Sequence, residues 1–129
     1  MINFIPAQVS HLDAVVALEQ GTFPDDAISR RSFRRFIDAP SADFYVAVDA
    51  DERVQGYTVL LYRNSTNLAR LYALVLAPAR QGMGYGRKLL QWAEHLADER
   101  HCLFLRTEIA TSNQRAEQLF RGEGFRLIE

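Results

Sequence analysis

The amino-acid sequence predicts one α/β (α+β) domain with a mixed central sheet, built in the order β-α-α-β-β-β-α-β-α-β. Three observations lead to this prediction. Alternating apolar residues indicate strands in the middle of the chain, apolar residues at three- to four-residue spacing indicate helices, and a glycine-rich turn joins a strand to the most regular helix. The 129 residues are the usual length of one domain, so we expect residues 1–129 to form a single unit.

The N-terminal part is predicted to contain a strand and two helices. A strand is expected over Ile2–Ala7, and Ser10 with Asp13 three residues later resembles the start of a helix. A second helix is expected from about Ser29. The residues that this helix would bury at helical spacing are Phe33, Phe36 and Ile37.

The middle of the chain is predicted to be an antiparallel meander. Apolar residues alternate over 44–48, which is the period of a strand. Two more strands are expected over Gln55–Tyr62 and Leu68–Leu76, which are rich in Val, Leu and Tyr, and the polar residues 64–67 between them indicate a hairpin connection.

The C-terminal part is predicted to return to a helical pattern. A helix is expected from Gly84 to about Glu99, followed by a strand over Leu103–Ile109. Asn113 is a candidate N-cap of a last helix, and Phe125–Ile128 would begin a further strand.

Composition narrows the classes of function. A net charge of −1 and a pI near 6.3 give no field that would attract nucleic acid, so we expect small molecules or protein termini as partners. No stretch is long and apolar enough for a membrane span, and the three histidines, His11, His95 and His101, lack the spacing of a metal site. Cys102 stands alone in an apolar run, which favours a reducing, cytoplasmic location.

The glycine-rich turn at residues 81–86 is the strongest local signal. Its three glycines alternate with larger residues directly after a predicted strand and directly before an amphipathic helix. Glycine permits positive φ, and the N-terminus of a helix offers unpaired N–H groups, so such a turn suits a pyrophosphate. The spacing fits neither the dinucleotide motif nor the P-loop. A turn of the same kind with no ligand remains the alternative.

Two motifs resemble those of one family. The residues Leu76, Pro78, Gln81, Gly84, Gly86, Leu89 and Leu90 resemble motif A of the GNAT acetyltransferases, Gln/Arg-x-x-Gly-x-Gly/Ala. Downstream, the residues Glu108, Asn113, Ala116, Leu119, Phe120, Gly124 and Phe125 resemble a second segment of that family. The resemblance covers essentially the whole chain and implies the GNAT fold, with acetyl-CoA as the cofactor.

The resemblance also implies the site residues. In relatives the strand before motif A separates from the strand after the long helix, and the pantetheine arm of coenzyme A lies in the gap. The expected cofactor-binding residues are Leu74, Val75, Leu76, Gln81, Gly82, Met83, Gly84, Tyr85, Gly86, Arg87 and Asn113, with Arg80 and Lys88 near the outer phosphates. For Asn113, a plain helix cap is the alternative.

Glu108 and Phe120 bear on the chemistry. Glu108 matches the position that accepts the proton of the substrate amine in relatives, although a surface or salt-bridged carboxylate is its alternative. At Phe120, relatives commonly have a tyrosine that protonates the leaving thiolate. Phenylalanine has no proton to donate, so we expect weakened activity at this step.

The resemblance is closest to the branch that acetylates the N-termini of ribosomal proteins (RimI-like). It extends to bacterial proteins that fuse such a domain to a cysteine-peptidase-like domain. Relatives continue beyond the position of Glu129, so we expect a truncated C-terminal end and an incomplete sheet edge, which a second copy of the chain or an attached C-terminal domain would cover.

Three functions are compatible with the sequence. The first is an N-acetyltransferase that moves an acetyl group from acetyl-CoA to a small-molecule or peptide amine, with a protein N-terminus as the expected acceptor. The second is an acyl-CoA-binding regulatory module with little or no catalysis. The third is a nucleotide-binding domain outside this family.

Overall fold

Strands and helices follow one another in the computed structural model as the sequence predicts, up to and including the last helix. The structure describes residues 1–64, 66–109, 113–126 and 128. Its strands are β1 (Asn3–Pro6), β2 (Ala42–Val48), β3 (Val54–Tyr62), β4 (Leu68–Leu76) and β5 (Phe104–Thr107). Its helices are α1 (Leu12–Thr22), α2 (Arg30–Asp38), α3 (Tyr85–Glu99) and α4 (Gln114–Gly122).

One sheet holds the described strands in the order β1-β2-β3-β4-β5. The strands β1 to β4 are antiparallel to one another, and β5 runs parallel to β4 because the α3 crossover returns the chain in the same direction. Two cores follow from this arrangement. The helices α1 and α2 pack on one face, whereas α3 and α4 pack on the other. The predicted mixed sheet with helices on both faces is therefore confirmed.

A carboxylate that the sequence analysis did not single out is buried in the first core. Glu19 lies on α1 with 2% of its surface exposed. Its carboxylate accepts a hydrogen bond from the hydroxyl of Tyr57 and another, at 2.8 Å, from the N–H of Ile28. Burial is the main reason that the pKa of Tyr57 is raised far above its ordinary value. The pair joins α1 to β3 and to the residues that lead into α2.

The start of the first helical segment differs from the prediction. A 3-10 turn over Val9–His11 precedes α1, and Gln8 rather than Ser10 is its N-cap. The N–H of Gln8 donates to Nδ1 of His11 at 3.0 Å. Ser10 was the wrong cap because it lies inside this turn, where the N–H of His11 donates to the carbonyl of Gln8 and the N–H of Leu12 donates to the carbonyl of Val9. The N-cap of α1 itself is His11.

The last predicted strand is not formed in its described part. Of residues 125–128, Leu127 lies outside the described residues, and the other three have no strand pairing. Gly124 adopts a φ of +91°, and the N–H of Phe125 donates to the carbonyl of Phe120 at 3.0 Å. The ring of Phe125 packs edge-on against that of Phe120. The N–H of Phe125 thus completes the C-terminal cap of α4.

The β5 strand is also shorter than predicted, since 104–107 replaces the expected 103–109. Among the described residues β4 is its only strand neighbour. Leu103, directly before β5, and Phe104, its first residue, are 74% and 62% exposed. No helix in the described part of the chain is long and apolar enough to cross a membrane.

Candidate functional site

The site is built around the point where β4 and β5 separate. Parallel pairing runs from Leu68 opposite Phe104 to Leu71 opposite Thr107, and the described residues pair no further. The hydroxyl of Thr107 donates to the carbonyl of Leu71 at 3.1 Å and completes the last contact. At the next residue, Tyr72, a β-bulge shifts the register between β4 and β3. A bulge bends its strand, so it redirects β4 where the pairing with β5 ends.

Beyond the bulge, one edge of β4 keeps its neighbour and the other does not. Leu74, Val75 and Leu76 pair with β3, whereas none of the described residues pairs with them on the β5 side. Gly56 on β3 permits this close pairing, because a Cβ there would lie 2.7 Å from the carbonyl oxygen of Val75. The structure thus places Leu74, Val75 and Leu76 along an edge whose backbone groups can pair with an extended ligand.

The glycine-rich turn lies at the end of that edge and opens α3. Gly82 and Gly84 have φ values of +78° and +85°, and a Cβ on either residue would meet no atom within 4 Å. Gly84 is the N-cap of α3, yet no side chain of the described residues caps the helix, and its first turn contains no acidic residue. The free N–H groups and the partial positive charge of this helix end suit an anion. A Cβ at Gly82 or Gly84 would project into this open space, and the positive φ would strain the backbone.

Three cationic side chains of the sequence analysis surround the turn. Arg80 donates to Oε1 of Gln55 at 3.1 Å and lies 3.8 Å from Asp49. Arg87 forms an ion pair of 2.9 Å with Glu123. The ammonium of Lys88 lies 5.5 Å from the centre of the Tyr85 ring. These contacts hold positive charge close to the N-terminus of α3.

A fourth cation was missed by the sequence analysis. Arg115, in the first turn of α4, donates to Oε1 of Gln81 at 2.8 Å. The amide nitrogen of Gln81 in turn donates to the carbonyl of Leu76 at 3.3 Å. Gln81 therefore links the end of β4 to α4. The only available signal was that Arg115 follows the predicted N-cap by two residues, which places it in the first turn of a helix.

Asn113 and Phe120 hold the two ends of α4. Oδ1 of Asn113 accepts from the N–H of Ala116 at 3.1 Å, so the predicted N-cap is confirmed. Phe120 is 7% exposed in the core beneath α3 and α4. Gly86 joins this region to the turn, since a Cβ there would lie 3.6 Å from side-chain atoms of Leu119 and Leu76.

Glu108 follows β5 directly, near the start of the separation. Its Oε1 lies 3.3 Å from the guanidinium of Arg70 on β4, and its side chain is 67% exposed. Leu76 lies six positions after Arg70 on β4, which is roughly 20 Å at ~3.3 Å per residue. The carboxylate and the glycine-rich turn are therefore far apart along one strand, and only a long, extended ligand reaches both.

Three tyrosines on the central strands differ in their access to solvent. Tyr57 is fully buried, and the hydroxyl of Tyr62 donates to Asp43 at 2.7 Å. Burial raises the pKa of Tyr62 well above its ordinary value, and the hydrogen bond to Asp43 adds to this shift. Tyr72 is 38% exposed at the bulge. Of the three, only Tyr72 presents its side chain to solvent at the separation of β4 and β5.

Solved structures of other proteins share this fold. A transcriptional regulator from Bacillus halodurans is 18% identical, with a TM-score of 0.87, and the match covers 100% of this chain and 95% of that one. The ribosomal-protein-S18-alanine N-acetyltransferase of Escherichia coli is 19% identical, with a TM-score of 0.86 and coverage of 100% and 80%. An aminoglycoside antibiotic 6'-N-acetyltransferase of Acinetobacter baumannii is 21% identical, with a TM-score of 0.83 and coverage of 100% and 93%.

The sequence itself gives the family. No curated protein sequence matches the chain significantly. The model of the acetyltransferase (GNAT) family matches residues 12–125, which include both motifs and the strands β4 and β5. The chain therefore belongs to the acetyltransferase (GNAT) family, for which acetyl-CoA is the acetyl donor.

Proposed function

We propose that this acetyltransferase acts on a primary amine, specifically the N-terminal α-amine of a peptide, with Glu108 as the general base. One observation carries the proposal. Glu108 lies where β4 and β5 begin to separate, and the glycine-rich turn lies roughly 20 Å away along β4. A coenzyme whose phosphates bind at the turn and whose arm follows β4 would bring its thioester towards Glu108.

The proposed coenzyme contacts follow the same path. The backbone of Leu74, Val75 and Leu76 pairs with the amides of the arm, since this edge lacks a strand neighbour among the described residues. The turn of Gln81, Gly82, Met83, Gly84, Tyr85 and Gly86 surrounds the pyrophosphate, with Arg87 beside it. The proposal gives Asn113 a second role at the mouth of the gap, in addition to its helix cap.

The chemistry required of the protein is modest. Acetyl-CoA supplies a thioester, so a carbon–nitrogen bond forms at the acetyl carbon and the carbon–sulfur bond breaks. The amine must first lose a proton, which costs about 1 kcal/mol for an α-amine and about 4 kcal/mol for a lysine near neutral pH. Glu108 accepts this proton, directly or through water. A carboxylate base is adequate for an α-amine, which is why we favour a peptide N-terminus.

Steady-state release of the coenzyme thiol with a panel of peptides tests the role of Glu108. Glu108→Gln should lower kcat by about 100-fold or more, because general base catalysis is typically worth 10²- to 10⁴-fold. The affinity for acetyl-CoA should stay unchanged. Glu117→Gln is the matched control, since Glu117 is also an ion-paired carboxylate but lies on α4. Equal rates for the two variants would contradict the assignment.

A catalytically weak acyl-CoA-binding module is the second candidate, and the observation that favours it is Phe120. Its buried ring has no proton for the leaving thiolate. Tight binding of acetyl-CoA without thiol release for any amine would support this candidate and contradict the first. Release at measurable rates would do the reverse.

Finer assignments belong to the same proposal. We place the chain in the cytoplasm and in the branch that modifies ribosomal-protein N-termini, where the S18-alanine enzyme offers a structural parallel. We also propose that a second copy or an attached domain covers the outer edge of β5, because Leu103 and Phe104 are exposed beside it. A monomer mass that is independent of concentration would contradict the dimer.

A further inference from the structure

A continuous strip of charged and aromatic side chains crosses the protein from α2 to the end of β5. The guanidinium of Arg35 lies 5.6 Å from the centre of the Phe36 ring, which packs edge-on at 5.7 Å against the ring of Tyr72. The guanidinium of Arg70 lies 5.2 Å from the centre of the Tyr72 ring and 3.3 Å from Glu108. We call these five residues the cation–aromatic strip.

A further arginine lies beside the strip. Arg106 on β5 stands opposite Arg70 on β4, and residues in register on neighbouring parallel strands point to the same face of the sheet. Arg106 is exposed, and neither it nor Arg35 has an ion-pair partner among the described residues. The strip and its neighbour thus carry three arginines, Arg35, Arg70 and Arg106, against one carboxylate, Glu108.

An amine that approaches Glu108 must compete with Arg70. Once the amine interacts with the carboxylate of Glu108, Arg70 loses its ion-pair partner. A negative group on the acceptor would then pair with Arg70 and restore the balance of charge. An acceptor with both groups replaces one ion pair by two. An acceptor with only positive charge meets three arginines and gains a single carboxylate.

From this balance we propose that the preferred acceptor is a peptide N-terminus followed closely by acidic side chains. The inference rests on the proposed function, because it assumes that the amine reacts at Glu108. The strip extends through four successive contacts of 3.3–5.7 Å. The strip as a whole is therefore longer than the ~3.8 Å that one residue spans, so it suits a peptide rather than a single amino acid. Its charge disfavours polycationic acceptors such as aminoglycosides.

Acidic groups nearby do not reverse this charge. Asp38 forms an ion pair of 2.6 Å with Arg34 on the outer side of α2, and Asp13 forms one with Arg30. Asp25 lies in the connection between α1 and α2 and makes no ion pair with the strip among the described residues.

The test uses three peptides that share their first residue and differ only at the second and third, which are acidic, neutral or basic. An aminoglycoside and free glutamate complete the panel. For the unmodified protein, kcat/KM for the acidic peptide should exceed that for the basic one by about 10-fold, since each exposed charge pair is worth up to about 5-fold. The preference should shrink as salt rises from 0.05 to 0.5 M, concentrations that span roughly 14 to 4 Å in screening length.

Charge variants make the test specific. Arg106→Glu should remove or reverse the preference, and Arg35→Gln should reduce it 2- to 5-fold. Arg121→Gln, an exposed arginine of α4, should leave it unchanged. The same peptides are also titrated into protein saturated with coenzyme A, so that the order of affinities is measured independently of turnover.

Each outcome has a separate meaning. A preference for the basic peptide, or equal rates for all three peptides, would overturn the inference and leave the proposed function standing. A preference for the aminoglycoside would overturn both the inference and the assignment of a peptide N-terminus. A preference for free glutamate over the acidic peptide would overturn the assignment of a peptide. Absence of thiol release with every amine, despite binding of coenzyme A, would contradict the proposed function, while the titrations would still report the charge preference.

Discussion

Arg115 is the residue through which the structure extends the site beyond the sequence motifs. Its contact with Gln81 places a cation of α4 beside the turn that opens α3. An anion at the turn would attract this guanidinium, which can exchange the neutral amide for a phosphate oxygen and so form a stronger, charge-assisted hydrogen bond. Arg115 is thus expected to contribute to the affinity for coenzyme A although no motif contains it.

Replacing Arg115 tests this contribution. Arg115→Gln should weaken coenzyme A binding roughly 3- to 10-fold, as expected for the loss of one exposed charged contact to phosphate. Arg121→Gln is the control, because Arg121 lies on the same helix and pairs with Glu117 instead. Calorimetric titration of both variants measures the difference, and equal affinities would show that Arg115 serves only to hold Gln81.

Phe120 is the residue at which catalysis can be gained. The resemblance described above implies a tyrosine at this position in relatives, and we expect a tyrosine there to add a proton donor for the thiolate. Phe120→Tyr should raise kcat by no more than about 100-fold, the lower end of general acid catalysis, because a thiol of pKa near 8.5 already leaves readily. Steady-state kinetics of the variant measure kcat, and a binding titration measures its affinity for acetyl-CoA. An unchanged kcat at unchanged affinity would show that the hydroxyl does not reach the thiolate.

Among the secondary-structure elements, the junction of β4 with α3 decides whether phosphates can bind. Gly84 combines a φ of +85° with open space where a Cβ would lie, so an added methyl group strains the backbone. In the proposed binding mode the methyl group also enters the space of the phosphates. Gly84→Ala should lower stability by about 1–2 kcal/mol, the cost of a left-handed residue with a Cβ. It should also weaken coenzyme A binding by more than 10-fold.

The matched control for Gly84 lies within α1. Gly21 is exposed, and a Cβ there would meet no atom within 4 Å. Gly21→Ala should therefore stabilise the protein by roughly 0.5–1 kcal/mol, because alanine favours a helix, and it should leave coenzyme A binding unchanged. Urea denaturation gives the two free energies of unfolding. A destabilised Gly84 variant that binds coenzyme A normally would show that the turn is not part of the binding site.

At the scale of the whole molecule, the architecture could be predicted because its signals are local. The apolar periods of the helices and strands and the glycine turn all occupy short windows of sequence. The features that were missed join distant residues. Tyr57 meets Glu19 across 38 positions, and Arg115 meets Gln81 across 34. A glutamate on a helix is usually exposed, so no pattern indicated that Glu19 was buried.

The separation of β4 from β5 beyond their paired part also depends on the whole fold. It depends on the bulge at Tyr72 and on the parallel pairing of β5, which the periodicity of either strand does not reveal. The family resemblance implied this separation. The structure supplies its starting point, immediately after Leu71 and Thr107.

Calorimetric titration with coenzyme A measures whether the turn before α3 binds the pyrophosphate. We expect one site per chain, a rise in thermal stability that follows coenzyme concentration, and no competition by equal concentrations of ATP or NAD. Absence of both heat and thermal shift at millimolar coenzyme A would contradict this expectation, as would displacement of the coenzyme by either nucleotide.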